Sequence, residues 1–329
     1  MKPRSHTWFG SLASVFWLLG FAQALAAQEA ARFEGIQMLT NREVRLKLRA
    51  PSGLNFRIDA SANLLDWNSL ITLRSTGLNE HTDLAPPNFA ARFYRALQVS
   101  DSNALTGDHL ATADGEVVFH PINHATFVMR WNGKMIYNDP VGGASLFQSF
   151  PRADLILVSH SHGDHFNAAT IEAVRGPNTT IIAPQAVYNG LSSALRSLTV
   201  VMANGARTNL LGLGIEAVPA YNLTTSNHLK GQGNGYVLTV GGKRIYMSGD
   251  TEDIPEMRAL QGIDVAFVCM NIPFTMSVDK ASSAVRDFRP KVIYPYHFRN
   301  QDSSMADLSR FKQRVGTDLD IEVRVRTWY

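Results

Sequence analysis

Apolar and polar residues alternate in one part of this chain and come in blocks in another. Between residues 32 and 98 the rhythm is short and two-fold. Val44-Arg-Leu-Lys-Leu-Arg49 alternates strictly, Pro51-Ser-Gly53 breaks it, and Asn55-Phe-Arg-Ile-Asp59 takes it up again. Leu70–Arg74 and Ala91–Leu97 follow after further breaks. A period of two marks a strand with one buried face, and short strands between turns, with no helical period, predict a small all-β sandwich. Residues 99–115 are polar and turn-rich and are expected to be a linker. From 116 to 329 apolar runs such as Leu155-Ile-Leu-Val158 alternate with helix-like stretches such as Phe166–Val174. That alternation predicts an α/β domain.

The first 26 residues belong to neither region. Lys2 and Arg4 precede a mostly apolar, uncharged run from Trp8 to Ala22, and Ala24-Leu-Ala26 supplies small residues where a leader is cleaved. Residues 1–26 are therefore read as a signal peptide of an exported protein, periplasmic or secreted. An uncleaved anchor is the alternative, but the run is short for a membrane span and Gly10, Ser11, Ser14 and Gly20 dilute it. With 18% charged and 45% hydrophobic residues the remainder can build a core. The net charge of +3 falls to about +1 once Lys2 and Arg4 are removed, with no basic block, which argues against nucleic acid as a partner and leaves a small-molecule substrate. Cys269 is the single cysteine, so no internal disulfide is available, and its apolar surroundings suggest a buried side chain.

Chemistry concentrates where the Leu155–Val158 run ends, in Ser159-His160-Ser-His162-Gly-Asp164-His165. Three imidazoles and a carboxylate in six residues would be costly to bury unpaired, and their natural use is to hold a divalent metal. His160 and His162 can face one metal, while Asp164 and His165, at the start of a helix, reach toward a second. Of the ten histidines only His228 and His297 follow this cluster. His297 ends the strand-like run Lys291–His297, and His228 lies in a polar loop opened by Val218-Pro-Ala-Tyr-Asn222. Tyr236–Val240 and Lys243–Asp250 read as a hairpin closed by Gly241-Gly242. Asp250 then stands at a strand end, with Gly249 permitting close backbone approach. Its alternative role is N-cap of a helix over Thr251–Leu260. Strand ends of an α/β sheet converge on one crevice, which favours the ligand role.

These residues are similar to a known family. Ser-His160-Ser-His162-Gly-Asp164-His165, Gly249-Asp250-Thr251 and Tyr296-His297-Phe298 resemble the metallo-β-lactamase superfamily. The stretches beginning at His120, Val218, His228 and Gly249 resemble its branch of metal-dependent hydrolases, which includes ascorbate-6-phosphate lactonases and the phospholipase D that releases N-acylethanolamines. The resemblance implies an αββα sandwich over residues 116–329, preceded by the small all-β module at 32–98. It also implies that His160, His162 and His228 bind one metal, that Asp164, His165 and His297 bind another, and that Asp250 bridges them. The module, with Arg57-Ile-Asp-Ala-Ser61 and a closing Arg92-Phe-Tyr-Arg95, resembles a β-unit of large exported bacterial proteins.

The implied cofactors are two divalent metal ions, zinc first, with manganese or iron as alternatives. Such a pair can share a hydroxide that attacks an ester, lactone or phosphodiester. No Gly-x-Ser-x-Gly elbow is present to supply a serine nucleophile. Asp164 could manage protons as well as bind metal. His124, in Asn123-His-Ala-Thr126, is either a pocket residue or a structural histidine, and Asp139 before Pro140 reads as a loop brace. Other readings are a glycan- or surface-binding protein with a metal-holding domain, a β-lactamase, or a di-iron oxidoreductase.

Overall fold

The structure, a computed structural model, describes residues 30–84, 89–100 and 105–329. The expected leader, residues 1–26, lies outside the described residues. Six strands form the first region: β1 (Arg32–Met38), β2 (Val44–Arg49), β3 (Asn55–Ser61), β4 (Asn68–Arg74), β5 (Leu78–Asp83) and β6 (Phe93–Val99). Strands β1, β2 and β5 make one antiparallel sheet, and β4, β3 and β6 lie side by side in another. The two layers enclose Val44, Leu46, Leu48, Phe56 and Ile58, with Leu73 and Tyr94 packed against them. The alternation of Val44–Arg49 is thus the burial pattern of one inward face.

Seven further strands follow: β7 (Gly107–Thr112), β8 (Gly115–Asn123), β9 (Thr126–Trp131), β10 (Lys134–Asn138), β11 (Ala153–Leu157), β12 (Arg175–Ala183) and β13 (Thr199–Val201). The expected linker at 99–115 therefore needs correcting, because it contains a strand. β7 pairs with β8 on one side and, through Ile71↔Asp108 and Thr72↔Gly107, with β4 on the other. The result is one ten-stranded sheet, β13-β12-β11-β10-β9-β8-β7-β4-β3-β6, shared by both regions. Gly107 makes the junction possible. Its φ is +136°, and a Cβ there would stand 1.9 Å from the carbonyl oxygen of Phe119.

The second sheet of the α/β region runs β14 (Arg207–Leu210), β15 (Leu213–Ala220), β16 (Gly233–Val240), β17 (Lys243–Met247), β18 (Val265–Cys269), β19 (Val292–Tyr296) and β20 (Glu322–Val323). β16 and β17 form the expected hairpin, and β17 to β20 are parallel. Leu155 and Leu157 point into the core between the sheets, while Ile156 and Val158 point to the opposite face, toward Ile171, Val187 and Leu195 of the covering helices. Burial on both faces is why β11 reads as an unbroken apolar run. Helix Val278–Phe288 covers the far face of the second sheet with Ala281, Ala284, Val285 and Phe288. Helix, sheet, sheet, helix is the expected layering. Among the described residues no helix is long and apolar enough to cross a membrane.

Candidate metal centre

The ends of β10, β11, β15, β17 and β19 meet at one rim between the two sheets, and the chemistry-bearing residues lie just beyond them. β11 runs into His160–His165, and helix Ala168–Val174 then begins, with Asn167 as its N-cap. Asp250 stands three residues beyond the end of β17. Gly249 adopts φ +59°, and a side chain there would come within 2.8 Å of the carbonyl oxygen of Asn234. No helix starts at Thr251. The helix begins at Pro255, where a proline is tolerated at the first position, so Asp250 is not its cap.

All seven predicted ligand residues come together. His160, His162 and His228 present ring nitrogens within 4.8 Å of one another, as do the donor atoms of His165, Asp250 and His297, and those of His160, Asp164 and His165. Asp250 lies between them. Its Oδ2 is 3.4 Å from His228 Nε2, and its Oδ1 is 3.2 Å from His165 Nε2 and 3.3 Å from His297 Nε2. None of these approaches has hydrogen-bond geometry. His160 Nε2, His165 Nε2, His228 Nε2, His297 Nε2 and Asp250 Oδ1 are buried without a partner. Orphaned polar atoms are rare in folded proteins, and five converging on one point fit a bound cation. His162 and Asp164 are exposed and open the centre to solvent.

Outer hydrogen bonds turn the rings toward that point. His228 Nδ1 lies 2.5 Å from Asn222 Oδ1, and the Asn222 amide is oriented by donating to Phe274 O at 2.8 Å. Asp139, fully buried, accepts from Ser159 N at 2.6 Å, Ser159 Oγ at 2.7 Å and His165 Nδ1 at 2.8 Å. Since the Ser159 hydroxyl donates to Asp139, it accepts from His160 Nδ1 at 3.0 Å. Each of these three histidines thus spends its Nδ1–H outward and leaves Nε2 bare, the tautomer a metal requires. The brace expected of Asp139 acts on a ring of the centre, a role that its position before Pro140 did not reveal.

His124 stands at the β8–β9 turn, with its ring centroid 3.6 Å from that of His297 and its Nε2 3.2 Å from Asp164 Oδ2. His124, Asp139 and His297 all have positive φ, 59°, 43° and 47°. Three non-glycine residues in the left-handed region, at a cost on the order of 1 kcal/mol or more each, mark a backbone bent to aim side chains. Electrostatics favour positive charge here. Burial would raise the Asp250 carboxyl, but His297 and His165 hold it well below the usual carboxylate range. Burial likewise opposes the shift of Asp164, which the hydrogen bond from His124 and the neighbouring His297 and His165 imidazoles keep low. Desolvation holds His160 well below an ordinary imidazole. For His165 burial is outweighed by Asp250 and Asp139, which raise it well above.

A sequence profile of the β-lactamase superfamily domain matches residues 119–297, from β8 through the last histidine of the centre. The chain belongs to the metallo-β-lactamase superfamily. Within it the chain is a member of the UPF0173 metal-dependent hydrolase family. It is 30% identical to the family protein of Pyrococcus abyssi over 212 residues, 61% of this chain and 93% of that one. It is 34% identical to the Thermus thermophilus protein over 171 residues, 50% of this chain and 74% of that one. Among solved structures, a protein named as a metal-dependent hydrolase from Parabacteroides distasonis is similar at 37% identity and a TM-score of 0.61, covering 68% of this chain and 99% of that one. The metallo hydrolase Igni18 of Ignicoccus hospitalis is similar at 25% identity and 0.55, covering 64% and 94%. This metallo-β-lactamase domain is accordingly a metal-dependent hydrolase, and the orphaned nitrogens on its rim belong to clusters that could hold a metal.

Proposed function

We propose that the protein is an exported hydrolase that uses two divalent metal ions, zinc foremost, to cleave an ester, lactone or phosphodiester bond in a small molecule. The observation that carries this reading is the stance of Asp250, whose two oxygens face two different sets of imidazoles. His160, His162 and His228 with Asp250 Oδ2 would hold one ion. Asp164, His165 and His297 with Asp250 Oδ1 would hold the other. A metal pair so held supplies a nucleophile from water at neutral pH and an electrophilic pole for the substrate oxygen.

The protein's own groups do the rest. Asp139 and Asn222 keep His165 and His228 in the ligating tautomer. Asp164, half-exposed and hydrogen-bonded by His124, is the carboxylate placed to exchange protons with a substrate at the mouth. The depression on the side of the centre formed by His160, His162 and His228 is small and is also walled by Asn227, Leu229 and Gln232. Export is supported by the leader-like sequence at 1–26.

Metal analysis of the mature protein should find close to two transition metals per chain. His162→Ala and Asp250→Ala should each lower that content, and unchanged content in both would overturn the site. A panel of lactones, phosphodiesters and β-lactams offered to metal-loaded enzyme then identifies the bond cleaved. Activity that survived Asp250→Ala would place the chemistry elsewhere.

A further inference from the structure

Residues 324–329 leave β20 and run back to the metal centre. Arg324 N–H donates to Ile293 O at 2.9 Å, and the Arg326 guanidinium grips Asp108 at 2.7 and 3.0 Å. Trp328 is 1% exposed, set edge-on to Phe127, Phe267 and Tyr296, and its carbonyl accepts the His124 N–H at 3.3 Å. Tyr329 comes next. Its ring lies edge-on to Phe298 and beneath the Arg299 guanidinium at 4.0 Å. Its hydroxyl accepts the Arg299 N–H at 3.2 Å and stands 2.9 Å from His124 Nδ1.

The protons along this line can be placed. Asp164 Oδ2, as a carboxylate, only accepts, so the 3.2 Å contact requires a proton on His124 Nε2. The His124 ring lies tilted against that of His297, with centroids 3.6 Å apart. The Tyr329 hydroxyl already accepts the Arg299 N–H, so its own proton is free to donate, and His124 Nδ1 is the acceptor within reach. This is the reverse of His160, His165 and His228, which direct Nδ1–H outward and Nε2 inward.

We propose that Tyr329 is a positioning residue of the hydrolase: its hydroxyl donates to His124 Nδ1, fixes the Nε2–H tautomer, and so aims one hydrogen bond at Asp164. The inference rests on Asp164 being a metal ligand, as proposed above. Asp164 has 47% of its side chain exposed, whereas Asp250 is enclosed. Packing therefore does little to restrain Asp164, and the contact from His124 holds Oδ2, the same oxygen that faces His297 and His165. His124 also keeps its own Nε2 out of the metal shell, because a protonated nitrogen cannot ligate.

Tyr329→Phe removes the hydroxyl and keeps the ring beside Phe298 and Arg299. Imidazole ¹⁵N spectra of the zinc-loaded full chain, with His124 assigned by its loss in His124→Gln, report the tautomer directly. Wild type should show a protonated Nε2 and a bare Nδ1, and Tyr329→Phe should shift His124 toward the other tautomer. Chelator competition should show the more weakly held metal bound about 10- to 100-fold less tightly in Tyr329→Phe, with kcat reduced and KM unchanged. A wild type that takes up metal but carries its His124 proton on Nδ1 overturns this proposal alone. So does a Tyr329→Phe protein with wild-type tautomer and metal affinity. A wild type that takes up no metal overturns the metal reading, and this inference falls with it.

Discussion

Buried carboxylates occur in the β-sandwich, at its seam and in the metal centre, and they are treated in opposite ways. In the sandwich, Asp59 is 1% exposed and takes hydrogen bonds from Arg57 at 2.7 and 3.2 Å and from Arg95 at 2.9 Å. At the seam, Asp108 takes two from Arg326 and one from Tyr294 at 2.8 Å. Asp250 is also buried, but it meets three imidazoles without hydrogen-bond geometry, and its Oδ1 has no partner. A carboxylate whose lone pairs are filled by guanidinium and phenol groups stabilises a fold. One left facing other lone pairs is waiting for a cation. Burial alone does not separate the two cases, and the state of the lone pairs does.

That contrast can be broken by experiment. The largest effect is expected at the seam, from Gly107→Ala, which drives a Cβ against Phe119 O. We expect at least about 4 kcal/mol of destabilisation, or no soluble protein, judged by urea unfolding. Asp108→Ala comes next. It strands Arg326 and the Tyr294 hydroxyl and should lower stability by about 3–5 kcal/mol, while Asp59→Ala, which strands Arg57 and Arg95 in the sandwich, should leave metal affinity as in wild type. Weakened metal binding in Asp59→Ala would dissolve the distinction between the two kinds of carboxylate.

Acid should report the same pairing. Burial would raise the Asp108 carboxyl, but Arg326 and Arg324 outweigh it and hold it below its ordinary 3.8. A depressed folded value means that its contribution is complete above the unfolded value and is lost as pH falls through the folded one. Wild type should therefore lose stability on acidification below about pH 4 more steeply than Asp108→Asn, and parallel acid profiles would contradict the pairing. Asp139→Asn should show the converse of Asp59→Ala, with metal affinity lowered about 10- to 100-fold and a smaller loss of melting temperature than Asp108→Ala. The smallest effect is sought in Trp67→Leu. It removes the face beneath the Arg95 guanidinium, 4.3 Å from the ring, and should lower stability by about 0.5–1 kcal/mol with activity untouched.

The convergence of these residues was legible in the sequence because the candidate ligands are rare residues at the ends of strongly patterned strands. His160 to His165 are contiguous, and only two histidines remained to complete the set. The groups that orient these ligands were less legible because they are linked to them only by the fold. Asp139 reaches a ring 26 residues away, and Tyr329 reaches one 205 residues away. Aspartate before a proline and tyrosine in Arg-Thr-Trp-Tyr are both ordinary in isolation. The strand β7 was hidden for another reason. Its buried residues are Asp108 and His109, so a reading of apolar alternation sees only a polar connector. His109 is held by Thr72 and Glu116, and Asp108 by Arg326 and Tyr294, partners that no local pattern shows.

The two residue pairs that join β4 to β7 also bear on how such a protein can be assembled. A sheet edge offers a row of main-chain donors and acceptors that any strand of suitable length can meet, whatever its side chains. The superfamily profile begins at Phe119, in β8, so the sandwich is attached outside the catalytic unit, along a border that addresses backbone. Such a border acts as a generic socket. It asks of the incoming unit a free strand and asks of the hydrolase one glycine, and it leaves the rim that carries the histidines free to diversify separately.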